Sequence, residues 1–89
     1  MYSISFSEQA LKELALLMKS DIQCFKKIES IMSELREHPY SGTGQPHQLR
    51  HLKGVWSRRL DKKNRLRYTV DDNVVVVFVI STIGHYDDK

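Results

Sequence analysis

Hydrophobic and polar positions alternate from the first residues. Tyr2, Ile4 and Phe6 fall on one face and Ser3 and Ser5 on the other, the period of a β-strand. Ser7 then offers a helix cap with Glu8 in the first turn, and Ala10, Leu11, Leu14, Leu17 and Met18 follow at helical spacing. Ser20-Asp21 breaks that pattern, and Ser20 with Gln23 matches a capping box. A second, longer helix sets Ile22, Phe25, Ile28, Met32 and Leu35 on one stripe. It must stop before Pro39, because proline lacks a donor and crowds the preceding turn. His38 to Pro46 is turn chemistry, and helical periodicity does not return after it.

The second half reads as strands. Gln48 to Leu52 makes a short one. Val55 to Leu60 alternates, with Val55, Ser57 and Arg59 facing one way and Trp56, Arg58 and Leu60 the other. Asp61-Lys62-Lys63-Asn64 turns the chain, and Arg65, Arg67 and Thr69 then alternate with Leu66, Tyr68 and Val70. After a turn at Asp71-Asp72-Asn73, the β-branched run Val74 to Ser81 is apolar on both faces, which places it centrally in a sheet. A strand, a helix pair and then a meander, with no βαβ alternation, predict an α+β fold. Two N-terminal antiparallel helices pack on a twisted antiparallel β-sheet.

Eighty-nine residues predict one domain spanning 1–89, with a small stability margin. Charge is distributed unevenly along it. Residues 1–40 carry five basic and six acidic side chains, whereas eight of the fourteen basic residues lie between Arg50 and Arg67 with only Asp61 among them. That density points to a polyanion, nucleic acid first; a solvated basic face is the bland alternative. A helix-turn-helix over residues 7–37 is disfavoured as a DNA reader, since that half is acidic on balance. The single Cys24 excludes an internal disulfide framework, suits a reducing compartment and reads as a small buried apolar filler. The longest apolar run, Val74 to Ile80, is seven residues, too short to span a bilayer, and Met1 to Phe6 lacks the features of a signal peptide. A cytoplasmic protein without a membrane partner is expected.

No phosphate-binding glycine loop and no zinc-spaced Cys/His cluster is present. The candidate chemistry rests on histidine. His38 sits at a helix end, where a dipole contact accounts for it. His47, His51 and His85 lie beside or beyond the basic strands, in loops or at strand ends where an imidazole can move protons. Cleavage of RNA by its own 2′-OH needs a base for that hydroxyl, an acid for the leaving 5′ oxygen and cations for the phosphorane. Two histidines and an arginine supply all three without a metal or other cofactor. Tyr86 or Trp56 is a candidate for stacking on a base, with Trp56 the better core residue.

Trp56-Ser57-Arg58-Arg59, then Arg65-Leu66-x-Tyr68, then His85-Tyr86, together with the loop Pro39-Tyr40-Ser41-Gly42-Thr43-Gly44-Gln45-Pro46, resemble the YoeB/Txe family of the RelE/ParE toxin superfamily. The resemblance covers essentially the whole chain. It implies a RelE-like, microbial-RNase-like fold and a ribosome-dependent endoribonuclease that cuts mRNA in the decoding site. It further implies a cognate antitoxin of the YefM/Axe kind, operator DNA bound only as the toxin–antitoxin complex, and a homodimer. By position, Arg65 matches the arginine that stabilises the transition state, and His85 the general acid with Tyr86 beside it. Arg59 matches a phosphate contact, and Arg50 stands where the family has a catalytic-site lysine. Arg58, Lys53, Lys62, Lys63 and His51 are further expected RNA contacts. The family's glutamate base is replaced here: the chain reads Pro46-His47-Gln48-Leu49-Arg50, so the base role falls to His47, or to His51. Two other readings of the basic face are a ParE-like toxin that inhibits gyrase by binding and a non-catalytic interaction module.

Overall fold

The computed structural model describes residues 1–82, so His85 and Tyr86 lie outside the described residues. Among the described residues seven elements follow one another: β1 (Ser3–Phe6), α1 (Glu8–Ser20), α2 (Ile22–Glu37), β2 (His47–Gln48), β3 (Trp56–Arg59), β4 (Arg65–Asp71) and β5 (Val76–Ser81). The five strands form one sheet in the order β1-β5-β4-β3-β2. This is the expected α+β arrangement of a helix pair on a sheet, and β5 is interior as its composition requires. The sheet departs from a pure antiparallel meander at one place: β1 runs parallel to β5. Only Ser7 separates β1 from α1, so this strand lies beneath the helix pair, where Ile4 and Phe6 join Val77 and Val79 in the core rows.

Residues opposite one another in register project to the same side of a sheet. Arg58 faces Leu66, Trp56 faces Tyr68, Tyr68 faces Val79 and Val70 faces Val77, which defines the helix-covered side. Leu66, Tyr68, Val77 and Val79 pack there against Ala10 and Leu17 of α1 and Cys24, Ile28, Ile31, Met32 and Leu35 of α2. Each fully buried aliphatic side chain of this kind is worth about 1.5–3 kcal/mol. Leu11 and Met18, expected in the core, are instead each 53% exposed, and Ile22 is 46% exposed. The reason is rotational: α1 lays its 10–14–17 edge on the sheet, so each leucine or methionine one position further on stands about 100° around the helix. Ile31, which the stripe read from sequence leaves out, is fully buried.

The caps explain where the helices begin. Ser7 accepts from the amide of Ala10 at 2.9 Å, as its position predicts. The second cap is Asp21 rather than Ser20: its carboxylate accepts from the Cys24 amide at 3.1 Å, while the Ser20 hydroxyl turns back to the Leu16 carbonyl. A carboxylate adds a favourable charge at the positive helix end, which a hydroxyl lacks. Among the described residues no helix is long and apolar enough to cross a membrane.

Two boundaries also move. The short strand expected over residues 48–52 is the two-residue β2 at His47–Gln48, and β5 starts at Val76 because Val74 and Val75 form the turn, Val75 with φ +56.

Candidate functional site

The sheet face opposite the helices collects the basic residues. His47 on β2 lies opposite Ser57 on β3, and Ser57 opposite Arg67 on β4; the register of β4 with β5 slips between Arg67 and Tyr68, so this row stops at Arg67. One pleat further along, Arg59 lies opposite Arg65. Two guanidinium-bearing residues facing each other across an antiparallel pair repel, since their Cβ atoms stand roughly 4.5–5.5 Å apart. Arg65 is drawn off by the turn: its Nη1 donates to the carbonyls of Asp61 at 2.8 Å and Asn64 at 3.1 Å. Those bonds engage one nitrogen of a fork with five donors and hold the half-buried side chain in place. Arg59 beside it is exposed.

The turn that holds Arg65 is itself tightly built. The Asp61 carboxylate accepts from the Lys63 amide at 2.8 Å and from the Asn64 amide at 2.7 Å. Burial pushes the Asp61 carboxyl up, but the amides of Asn64 and Lys63 outweigh it and hold the group below its ordinary value. The turn thus carries a negative charge two strand positions from the arginine pair.

His47 is exposed at the sheet edge, and its Nδ1 lies 3.0 Å from the carbonyl of Gln45. A carbonyl only accepts, so in the neutral ring this bond puts the proton on Nδ1 and leaves Nε2 as the acceptor. That is the state a general base requires. Gln45 reaches this position with φ +52, a left-handed conformation uncommon for a residue with a side chain. From strand spacings, the Cα atoms of His47 and Arg65 stand about 12 Å apart, two strands across and two residues along. Both side chains can therefore reach a phosphodiester lying between them.

The other expected contacts divide between the two ends of β3. Arg50, His51 and Lys53 are exposed on the loop before it, which is closed by the Leu49 amide on the Val55 carbonyl at 2.9 Å. Lys62 and Lys63 are exposed on the turn after it. These two groups flank the arginine pair rather than join it. His51 therefore stands apart from the row that contains His47.

Arg58 is a correction. Read from sequence as an RNA contact, it has 0% exposure and lies on the helix side of the sheet. It forms an ion pair with Glu34 at 2.9 Å. The alternation of β3, which groups it with Trp56 and Leu60, carried this information; charge alone hid it. Arg67 is the converse case, a half-buried residue on the face away from the helices that is absent from the expected contacts. Its signal was the Arg65–Arg67–Thr69 alternation.

A cleft of about 250 Å³ on the helix side is lined by Asp21, Cys24 and Asp61 among others. Its donors are already used: Asp21 caps α2, Asp61 caps the turn, and burial with the two carboxylates pushes the Cys24 thiol up to about 11. Cys24 is the buried filler its place in the helix predicts.

The architecture has close counterparts. The chain is similar to RelE-containing and YoeB-containing structures, among them the intact RelBE toxin–antitoxin complex of Escherichia coli. That match has a TM-score of 0.75 at 30% identity and covers 96% of this chain and 98% of the other. A heterotetrameric YoeB–YefM toxin–antitoxin complex from Staphylococcus aureus matches with a TM-score of 0.82 at 33% identity, covering 97% and 99% of the two chains. The fold thus defines a toxin of the RelE type, a helix pair backing a sheet whose opposite face carries His47, Arg59, Arg65 and Arg67. The family model of YoeB-like toxins matches residues 6–86. Toxin YoeB of Escherichia coli O6:H1 is 34% identical over 73 residues, which are 81% of this chain and 87% of that protein. The chain belongs to the YoeB-like toxins of bacterial type II toxin–antitoxin systems.

Proposed function

We propose that the chain is a ribosome-dependent endoribonuclease that cuts translated mRNA in the decoding site, without a metal, and so inhibits translation. The observation that supports this most is the pairing of Arg59 with Arg65 one pleat from His47, whose Nε2 is left to accept a proton. In this reading His47 Nε2 removes the 2′-OH proton as that oxygen bonds to the adjacent phosphorus. Arg59 and Arg65 hold the charge of the phosphorane. His85 then protonates the 5′ oxygen as its bond to phosphorus breaks, leaving a 2′,3′-cyclic phosphate and a 5′-hydroxyl. Arg50 adds a cation on the His47 side, and Tyr86 stacks on a base. Lys53 and His51 at one end of β3, and Lys62 and Lys63 at the other, hold the flanking backbone.

A cationic open face also suits an acidic antitoxin segment that folds on binding, at an on-rate that falls with salt. The YoeB–YefM complex and the YoeB dimer of Staphylococcus aureus support a YefM-like antitoxin and a homodimer for this chain. Operator DNA is bound only through the toxin–antitoxin complex, and the working compartment is the cytoplasm, where translated mRNA is found.

Primer extension on mRNA from cells induced for the wild type, His47→Ala and Arg65→Ala tests the reading. Discrete cuts confined to translated transcripts are expected from the wild type. Their loss by about 100-fold or more is expected in either variant, the usual scale for a base or an oxyanion-stabilising donor. No cuts from the wild type would overturn the nuclease reading in favour of toxicity by binding alone.

A further inference from the structure

Among the described residues the largest fully buried side chain is not apolar but Arg58. Its Nε donates to the Tyr68 hydroxyl at 3.1 Å and its Nη1 to Glu34 Oε1 at 2.9 Å. The other three bonds go to backbone: Nη1 to the Thr43 carbonyl at 3.3 Å, and Nη2 to the carbonyls of His38 at 2.6 Å and Ser41 at 2.7 Å. A segment without regular structure has therefore turned three carbonyls inward onto one cation.

Glu34 fixes the same segment from α2. Its carboxylate accepts from the Thr43 amide at 2.8 Å and hydroxyl at 2.6 Å. Two glycines let the chain approach this closely. A Cβ at Gly42 would lie 2.3 Å from Glu34 Oε1, and one at Gly44 would lie 2.6 Å from the Arg59 carbonyl. Immediately beyond Thr43, the Gly44 carbonyl accepts from the Arg59 amide at 2.7 Å. Gln45 then takes its left-handed turn and aims its carbonyl at His47 Nδ1. The route from Arg58 to the imidazole is one unbroken stretch of chain, fixed at every second residue or closer.

We propose that Arg58 is a positioning residue for His47. It touches no RNA, but through the 38–46 loop it sets where the imidazole stands and which ring nitrogen carries the proton. The catalytic consequence rests on the reading of His47 as the base; the structural one does not. Lysine is no substitute, because its three donors radiate from one atom whereas the arginine fork serves partners on three sides at once.

The test is made on the purified chain with two variants, Arg58→Lys and Glu34→Ala, each checked for folding by circular dichroism. Long-range proton–nitrogen NMR spectra of the histidine rings, taken above pH 8, report the tautomer. The expected result is a wild-type His47 protonated on Nδ1, and a shift toward the Nε2-protonated form in both variants. Glu34→Ala keeps the question open to measurement if Arg58→Lys does not fold. In a ribosome cleavage assay, Arg58→Lys is expected to lower kcat about tenfold or more and leave KM within about twofold. A His47 tautomer indifferent to both variants overturns the proposal. So does a raised KM with a shallower salt dependence, the mark of a lost phosphate contact. A wild type that cuts no RNA overturns the nuclease reading instead, and the tautomer measurement still decides the positioning role.

Discussion

Replacing Tyr68 by Phe removes one oxygen from the centre of the molecule and nearly nothing from its volume. Tyr68 has 0% exposure. Its hydroxyl donates to the Pro39 carbonyl at 2.7 Å and accepts from Arg58 Nε at 3.1 Å. Burial pushes the phenol above its ordinary pKa against the opposing influence of Arg58, so it stays protonated and keeps donating at any physiological pH. Phenylalanine leaves both partners in place without it. A buried group stripped of its partner costs about 1–3 kcal/mol, with charged donors at the upper end. Two such groups, partly relaxed, make the expected loss about 2–5 kcal/mol.

For a domain of this size about 1 kcal/mol moves Tm by roughly 4–8 °C, so Tm should fall by at least about 8 °C. Urea unfolding followed by circular dichroism measures the loss directly, with an unchanged slope showing that the folded state has kept its compactness. The comparison is Tyr40→Phe, whose hydroxyl bonds Asp72 at the surface at 2.5 Å and whose ring lies 5.1 Å from that of Trp56. This variant should lose little, because water replaces the missing partner. A Tyr68→Phe loss under about 1 kcal/mol would refute the claim that the buried arginine network holds the 38–46 loop.

Two further predictions follow from titrating groups. Hydrogen bonds from the Thr43 side chain, opposed by burial and reinforced by the Thr43 amide and Arg58, hold the Glu34 carboxyl below its ordinary value of 4.5. A depressed folded-state pKa contributes stability that is fully present above the unfolded value and is lost as pH falls through the folded one. Acid titration of Tm should therefore show a drop beginning near pH 4.5 that is smaller in Glu34→Gln; identical acid limbs would contradict it. Burial first, then Asp61 and Asp21, push the Cys24 thiol from 9.0 to about 11. Maleimide or disulfide-reagent labelling at neutral pH should thus run at least about 100-fold slower on the folded chain than in urea, and equal rates would refute its burial.

Sequence alone determined the order of elements, the cap at Ser7, the stop before Pro39 and the hairpin about Asp61–Asn64. These are local matters, settled by side-chain period, proline geometry and carboxylate-to-amide bonds within a few residues. It also marked Arg59, Arg65 and His47 as candidates, because charge density and the family motif are visible in one dimension. Only the tertiary structure decided which face of each strand is dry. Arg58 and Arg59 are neighbours of identical type, yet one is sealed against α2 and the other stands on the open face. A β-strand turns consecutive side chains to opposite sides, and which side is dry depends on where the helices land. That landing was set by the rotation of α1 about its axis and by β1 joining β5 in parallel, neither of which leaves a local mark in the chain. The Nδ1 bond of His47 belongs to the same category. It exists because a cation eleven residues further on gathers the loop that precedes it.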